Sequence, residues 1–331
     1  MTINETLSQY SDLAFESSFA VLVLALVLLI VQYASSRAVA VQDNEAKREA
    51  ALVAAGGGGT AVPDAPAPGR VAEAPRRSLA DRFGNMGRAV LLVGTILILA
   101  SIVLRGFATE RFPLGNMYEF VAMACAAALA LGLVLLRKPA YRSLWVFLLV
   151  PVLILMFLAA TVLYADAAPV VPALRSFWLP IHVTIVSVGS GVFMISGIAS
   201  LLYLLRMRYQ SGTEGAGLFA RIAERLPDAQ TLDRLAYKTT IIGFPLFGAG
   251  VILGAIWAEA AWGRFWGWDP KETVSFIAWV IYAAYLHARA TSGWRDTKAA
   301  WINVAGFVAM LFNLFIINMV VSGLHSYAGL N

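Results

Sequence analysis

The chain has 331 residues, of which 60% are hydrophobic and only 14% charged. Several apolar runs reach the roughly 20 residues that a helix needs to cross a bilayer, which excludes a soluble domain and indicates an all-α polytopic integral membrane protein. The net charge of +5 needs no nucleic-acid partner, because basic loops beside an anionic lipid leaflet account for it.

In chain order the apolar runs predict eight spans, near 17–37, 87–105, 117–136, 143–164, 179–205, 239–258, 273–290 and 300–321. The segments 37–88, 137–142, 206–238 and 289–298 carry 20 of the 25 Lys and Arg residues. Basic residues accumulate on the inner side of a membrane. Both termini, and the segment before the seventh span, are therefore expected outside. The first apolar run follows polar and acidic residues with no Lys or Arg, so it reads as a retained span and not a cleaved signal.

Residues 1–37 form an external N-terminus and first span. Residues 38–86 hold Gly56 to Gly59, Pro63, Pro66, Pro68 and Pro75, and read as a disordered cytoplasmic linker. Residues 87–331 are then a seven-helix membrane domain. Within 206–238, Leu218, Phe219, Ile222 and Leu226 recur at helical spacing and suggest a short amphipathic helix on the lipid surface. The single cysteine, Cys125, lies in the third span and reads as a packing residue; the chain has no CxxC pair and no CxxCH haem-attachment site.

The densest signal is 257–272, WAEAAWGRFWGWDPKE, where Trp257, Trp262, Trp266 and Trp268 fall together before Asp269. Indole faces are broad, rigid and apolar, and suit a planar macrocycle; an interfacial aromatic belt is the plainer alternative. Gly263 and Gly267 let backbone approach such a plane. Arg264 and Lys271 could meet anionic groups on a ligand, although Lys271 could equally belong to the start of the seventh helix with Pro270 and Glu272. Asp269, just before Pro270, suits the N-cap of that helix better than a general base, since no proton-transfer partner is evident in the sequence. Asn116, Tyr118 and Glu119 open the third span on the same side, as pocket residues or as helix initiators.

Three histidines occur. His182 begins the fifth span and His325 follows the eighth, both on the side of the tryptophan segment, so that two imidazoles could approach one iron from opposite faces. An interfacial histidine bonded to a loop or to headgroups is the alternative for each taken singly. His287 lies 19 residues beyond Trp268, about 28 Å along a helix at about 1.5 Å per residue, so one haem cannot touch both. It marks either a second site or a helix end where imidazole meets the last carbonyls.

These residues resemble a known family. WGRFWGWDPKE is similar to the WWD signature of haem-handling proteins, and FPLGNMYEF (112–120), RSFWLPIHV (175–183), YLHAR (285–289) and GLHSY (323–327) match in order the cytochrome c synthase type called CcsA or ResC. The resemblance runs from about residue 87 onward and says nothing of the first span or the linker.

It implies cytochrome c biogenesis, in which haem b made inside the cell reaches the outer face and is joined covalently to the CxxCH of apocytochrome c. His182 and His325 would be axial haem ligands flanking the tryptophan loop, and His287 would serve an inner-side site with a histidine from a ResB-type partner. The chain would then be a cytochrome c haem lyase acting in a complex. One external histidine would have to yield to the histidine of the substrate. Addition of two thiols across two vinyl groups depends on positioning more than on a side-chain nucleophile. Two other functions stay open: a WWD protein that exports haem or loads it onto a chaperone without attaching it, and a solute transporter with an aromatic belt. The expected location is a bacterial plasma membrane, a thylakoid being the alternative.

Overall fold

The computed structural model describes residues 3–56, 78–169, 174–209 and 217–325. Among these, every regular element is helical: α1 Glu5–Gly56, α2 Leu79–Thr109, α3 Met117–Leu135, α4 Leu144–Thr161, α5 Trp178–Arg208, α6 Leu218–Glu224, α7 Ala229–Trp262, α8 Pro270–Ala290 and α9 Thr297–Phe312, which continues as a π-helical turn, Asn313–Ile317.

Among the described residues seven helices are long and apolar enough to cross a membrane: α1 over Glu5–Ser35, α2, α3, α4, α5, α7, and α9 with its π turn. The seventh expected span, 273–290, forms as α8 over 21 residues but is less apolar. Trp279, Tyr282, Tyr285, His287 and Arg289 lower its hydropathy. It nevertheless runs the length of the bundle. At one end Arg289 is paired with Asp233 at the start of α7 (2.8 Å), and at the other Lys271 donates to Asn318 beyond α9 (2.8 Å).

Several boundaries differ from the sequence reading: α1 starts at Glu5 and α7 at Ala229, well ahead of the expected 17 and 239. The stretch from 38 onward, expected to be structureless, continues α1 through Gly56, because its Ala, Glu, Lys and Arg are strong helix formers and the glycine run begins only there. On the far side α2 begins at Leu79, capped by Ser78, whose hydroxyl accepts from Asp81 N (3.1 Å). The part of the expected linker at 57–77 lies outside the described residues. The amphipathic stretch forms α6, with Ala220 and Ala223 buried and Leu218 and Phe219 exposed.

Helix packing relies on small residues. Side chains that would project from Gly189 and Gly191 would press on the backbones of Phe247 in α7 and Ala128 in α3, so α5 approaches both neighbours closely. Cys125 is buried against α4, with Val152 O 3.8 Å from its sulfur. Alternating helix directions gather 110–116, 162–169, 263–269 and 318–325 at one end of the bundle, where Asn4 N, Arg111 and Leu324 N bond across to Ala108 O, Ala168 O and Asp269.

Candidate haem-binding site

At that end the chain builds a cavity that opens to the surface. α5 brings His182 to it in the helix's second turn, and α7 brings Trp257 in its last two turns. Gly263 ends α7 in the left-handed conformation (φ 69°), its N–H donating to Glu259 O (2.9 Å), which is how glycine closes a helix. Trp257 and Trp262 are therefore helical, and the loop is shorter than the expected 257–272: only 263–269 join α7 to α8.

His182 and His325 line this one cavity. The Nδ1–H of His182 donates to Gly250 O (2.7 Å), and the Nδ1–H of His325 donates to Asp269 Oδ2 (2.8 Å). Both rings are thus oriented through Nδ1, as is common for histidines that ligate a metal through the other ring nitrogen. Trp257, 2% exposed, touches both: it stacks on His182 (6.0 Å between centroids, 13° between planes) and meets His325 edge-on (5.6 Å, 67°). A Cβ at Gly254 would lie 2.7 Å from His182 Cε1, so glycine there leaves room for the imidazole.

The other tryptophans divide. Trp262 packs edge-on against Trp257 (4.8 Å) and His325 (5.0 Å). Trp266 lines the cavity and meets Trp268 edge-on. Trp268 is 68% exposed and holds a left-handed backbone (φ 57°), uncommon for a bulky residue.

The two candidate cations also divide. Lys271 lines the cavity and donates to Asn318 Oδ1. Arg264 turns back over the loop, pairing with Glu272 (3.3 Å) and lying near the Trp262 ring; a side chain at Gly267 would collide with its guanidinium. Glu272 accepts from Gly267 N (2.9 Å) and Asp269 N (3.1 Å), completing a capping box with Asp269. Asp269 caps α8 as the sequence indicated. Burial alone would raise its carboxyl, but hydrogen bonds from His325, Leu324 N and Lys271 N hold it below the usual carboxylate range.

Of the third-helix residues, Asn116 lines the cavity and caps α3, its side chain accepting from Glu119 N (2.9 Å). Tyr118 and Glu119 turn away; Glu119 is buried between Arg105 and Arg111. His287 is exposed near the opposite end of α8 and lines none of the cavities described, so the structure separates it from the other two histidines.

Sequence reasoning did not find the pairing of Asp269 with His325, nor Glu272, Asn318 and Gly254 as residues of the site. For Glu272 a signal existed, since an acid three residues after an N-cap Asp is the capping-box pattern. For Asn318 and Gly254 none did: their roles come from elements distant in the chain.

Residues 114–325 match the family described as cytochrome C assembly protein. The chain belongs to that family. Among similar proteins, the cytochrome c biogenesis protein CcsA of Synechococcus sp. (strain CC9902) is 33% identical over 261 residues, 72% of this chain and 86% of that protein. The CcsA of Gloeobacter violaceus (strain ATCC 29082 / PCC 7421) is 31% identical over 296 residues, 75% of this chain and 87% of its own. Among solved structures, cytochrome c heme lyase CcmF aligns with a TM-score of 0.61 at 17% identity, over 99% of this chain and 50% of that one, a likeness of fold. This family member is thus a multi-pass membrane protein of cytochrome c biogenesis, and the solute-transporter reading falls away.

Proposed function

We propose that the cavity receives haem b between His182 and His325 and presents it for covalent attachment to the CxxCH of apocytochrome c, the chain acting with a ResB-type partner as a cytochrome c haem lyase. The observation that carries this reading is that the two histidines, from α5 and from the turn after α9, line one cavity with Nδ1 of each already bonded. The donor set fits haem: imidazoles with oriented rings, apolar walls from Val183, Val186, Phe247 and Val251, and aromatic faces from Trp257 and Trp266. Lys271, at the same cavity, is the better placed of the two cations for a propionate, since Arg264 is engaged with Glu272.

When bound, haem supplies the two vinyl groups across which cysteine thiols add: each sulfur bonds one vinyl carbon and the thiol proton ends on the other, with no net redox change. The chain's residues hold and orient. His182 and His325 fix the iron, Trp257 and Trp266 bound the ring plane, and the capped start of α8 keeps the loop in place. The basic-loop asymmetry supports reading this end as the outer face, and the membrane as a bacterial plasma membrane. Exposed His287, near the inner end of α8, then suits a haem site completed by a histidine of the ResB-type partner.

The test is the reduced-state absorption spectrum of the purified chain, with and without that partner, for the unmodified protein and for His182→Ala and His325→Ala. A six-coordinate spectrum altered by either substitution supports the site. Folded protein that takes up no haem in any preparation would rule it out. Formation of holocytochrome by the complex separates attachment from haem export alone.

A further inference from the structure

Asp269 stands where the tryptophan loop enters α8, and its carboxylate serves two partners at once. Toward α8 it accepts from Lys271 N, at 3.3 Å. Toward the turn after α9 it makes shorter bonds, Oδ1 with Leu324 N and Oδ2 with His325 Nδ1, both 2.8 Å. The side chain is 5% exposed, so water competes little for these bonds. Gly323 lets the turn come this close, because a Cβ there would lie 2.8 Å from Oδ1. An N-cap needs only a bond to its own helix. The two additional short bonds go to the residue before His325 and to His325 itself.

We propose that Asp269 is the positioning residue of the haem site, holding His325 as the Nδ1–H tautomer so that Nε2 is the nitrogen offered to the iron. This rests on the reading of His325 as a haem ligand. A carboxylate behind a ligating imidazole also makes it a stronger donor and favours the ferric state. Asparagine at 269 separates the roles. Its carbonyl oxygen can still accept from Leu324 N, but the amide nitrogen is a donor facing Nδ1, which forces the proton onto Nε2. The same Asp-to-Asn logic gives the wrong tautomer in the serine-protease triad. Serine at 269 can still cap α8 but cannot span the distance to His325, and so serves as a second variant should asparagine prevent folding.

With only three histidines in the chain, ¹⁵N-histidine labelling resolves each ring. The full-length protein without haem should show His325 protonated on Nδ1, and Asp269→Asn should move that proton to Nε2 while the His182 signals stay in place. With haem, Asp269→Asn should lose the six-coordinate spectrum, and Asp269→Ser should retain haem at a midpoint potential shifted upward. If His325→Ala abolishes six-coordination while Asp269→Asn changes neither tautomer nor spectrum, this inference is overturned and the ligand reading stands. If His325→Ala leaves haem binding unchanged, the ligand reading fails and takes this inference with it.

Discussion

Arg105 in α2 and Glu119 in α3 are paired at 3.3 Å in the interior of the protein, each 2% exposed. Arg105 also reaches Asp12 of α1 (3.3 Å) and donates to Ala165 O, while Glu119 binds Arg111 (2.8 Å) and accepts from Gly115 N (2.6 Å). Gly115 lines the cavity. The network therefore connects α1, which precedes the family-matched residues 114–325, to the wall of the candidate site. The first helix is built into the end of the bundle that holds the cavity.

Glu119→Gln should be among the most damaging single changes outside the cavity. It leaves two guanidinium groups against a neutral amide, and breaking a buried ion pair by removing one partner costs roughly 3–5 kcal/mol. Thermal unfolding of the detergent-purified protein measures this, and an unchanged Tm would contradict the network. Asp12→Asn, whose carboxylate is partly exposed, should cost about 1 kcal/mol or less.

Gly254→Ala tests the packing of His182. The added methyl carbon would sit 2.7 Å from Cε1 of the ring, so the imidazole must shift. The expected result is an altered haem spectrum with a stability loss of about 1–3 kcal/mol. Gly217→Ala, where a Cβ meets nothing within 4 Å, is the control that should leave the spectrum as it was.

Trp257 and Trp268 should respond in opposite ways although they belong to one motif. Trp257→Ala empties a buried volume beside both histidines and should cost about 3–5 kcal/mol. At exposed, left-handed Trp268, glycine relieves the backbone but loosens the unfolded chain, and the two effects nearly cancel. Trp268→Gly should stay within about 0.5 kcal/mol in thermal unfolding.

Asp228 predicts an acid dependence at the start of α7. It caps that helix through Thr231 N (2.8 Å), and hydrogen bonds from the Thr231 side chain and backbone lower its carboxyl from the usual 3.8. A depressed native value means that the contribution is complete above that ordinary value and fades as pH falls through the native one. Protection of the Thr231 amide, measured against the intrinsic exchange rate at each pH, should therefore fall in acid, and Asp228→Ala should show low protection at every pH.

Much of the site was legible in the chain because its signals are local or compositional. The span positions follow from runs of apolar residues, the α8 cap from Asp269 followed by Pro270 and Glu272, and the histidines stood out because there are only three. Recognition of the WWD segment joined them to a family. The same local signals misled at 38–56, where linker composition further on hid a helix-forming stretch that α1 simply continues.

The sequence by itself determined the membrane class, the positions of the helices and the residue types able to hold haem, because hydrophobic length, capping and composition act over a few turns of one segment. Only the tertiary structure decided which of those residues meet. Helices α5, α7 and α8 and the turn after α9 converge at one end of the bundle, bringing His182 and His325 to one cavity. That convergence also gives Asp269 its histidine, pairs Arg264 with Glu272 and leaves Trp268 at the surface. Such partnerships depend on the packing of helices far apart in the chain, and no local pattern encodes them.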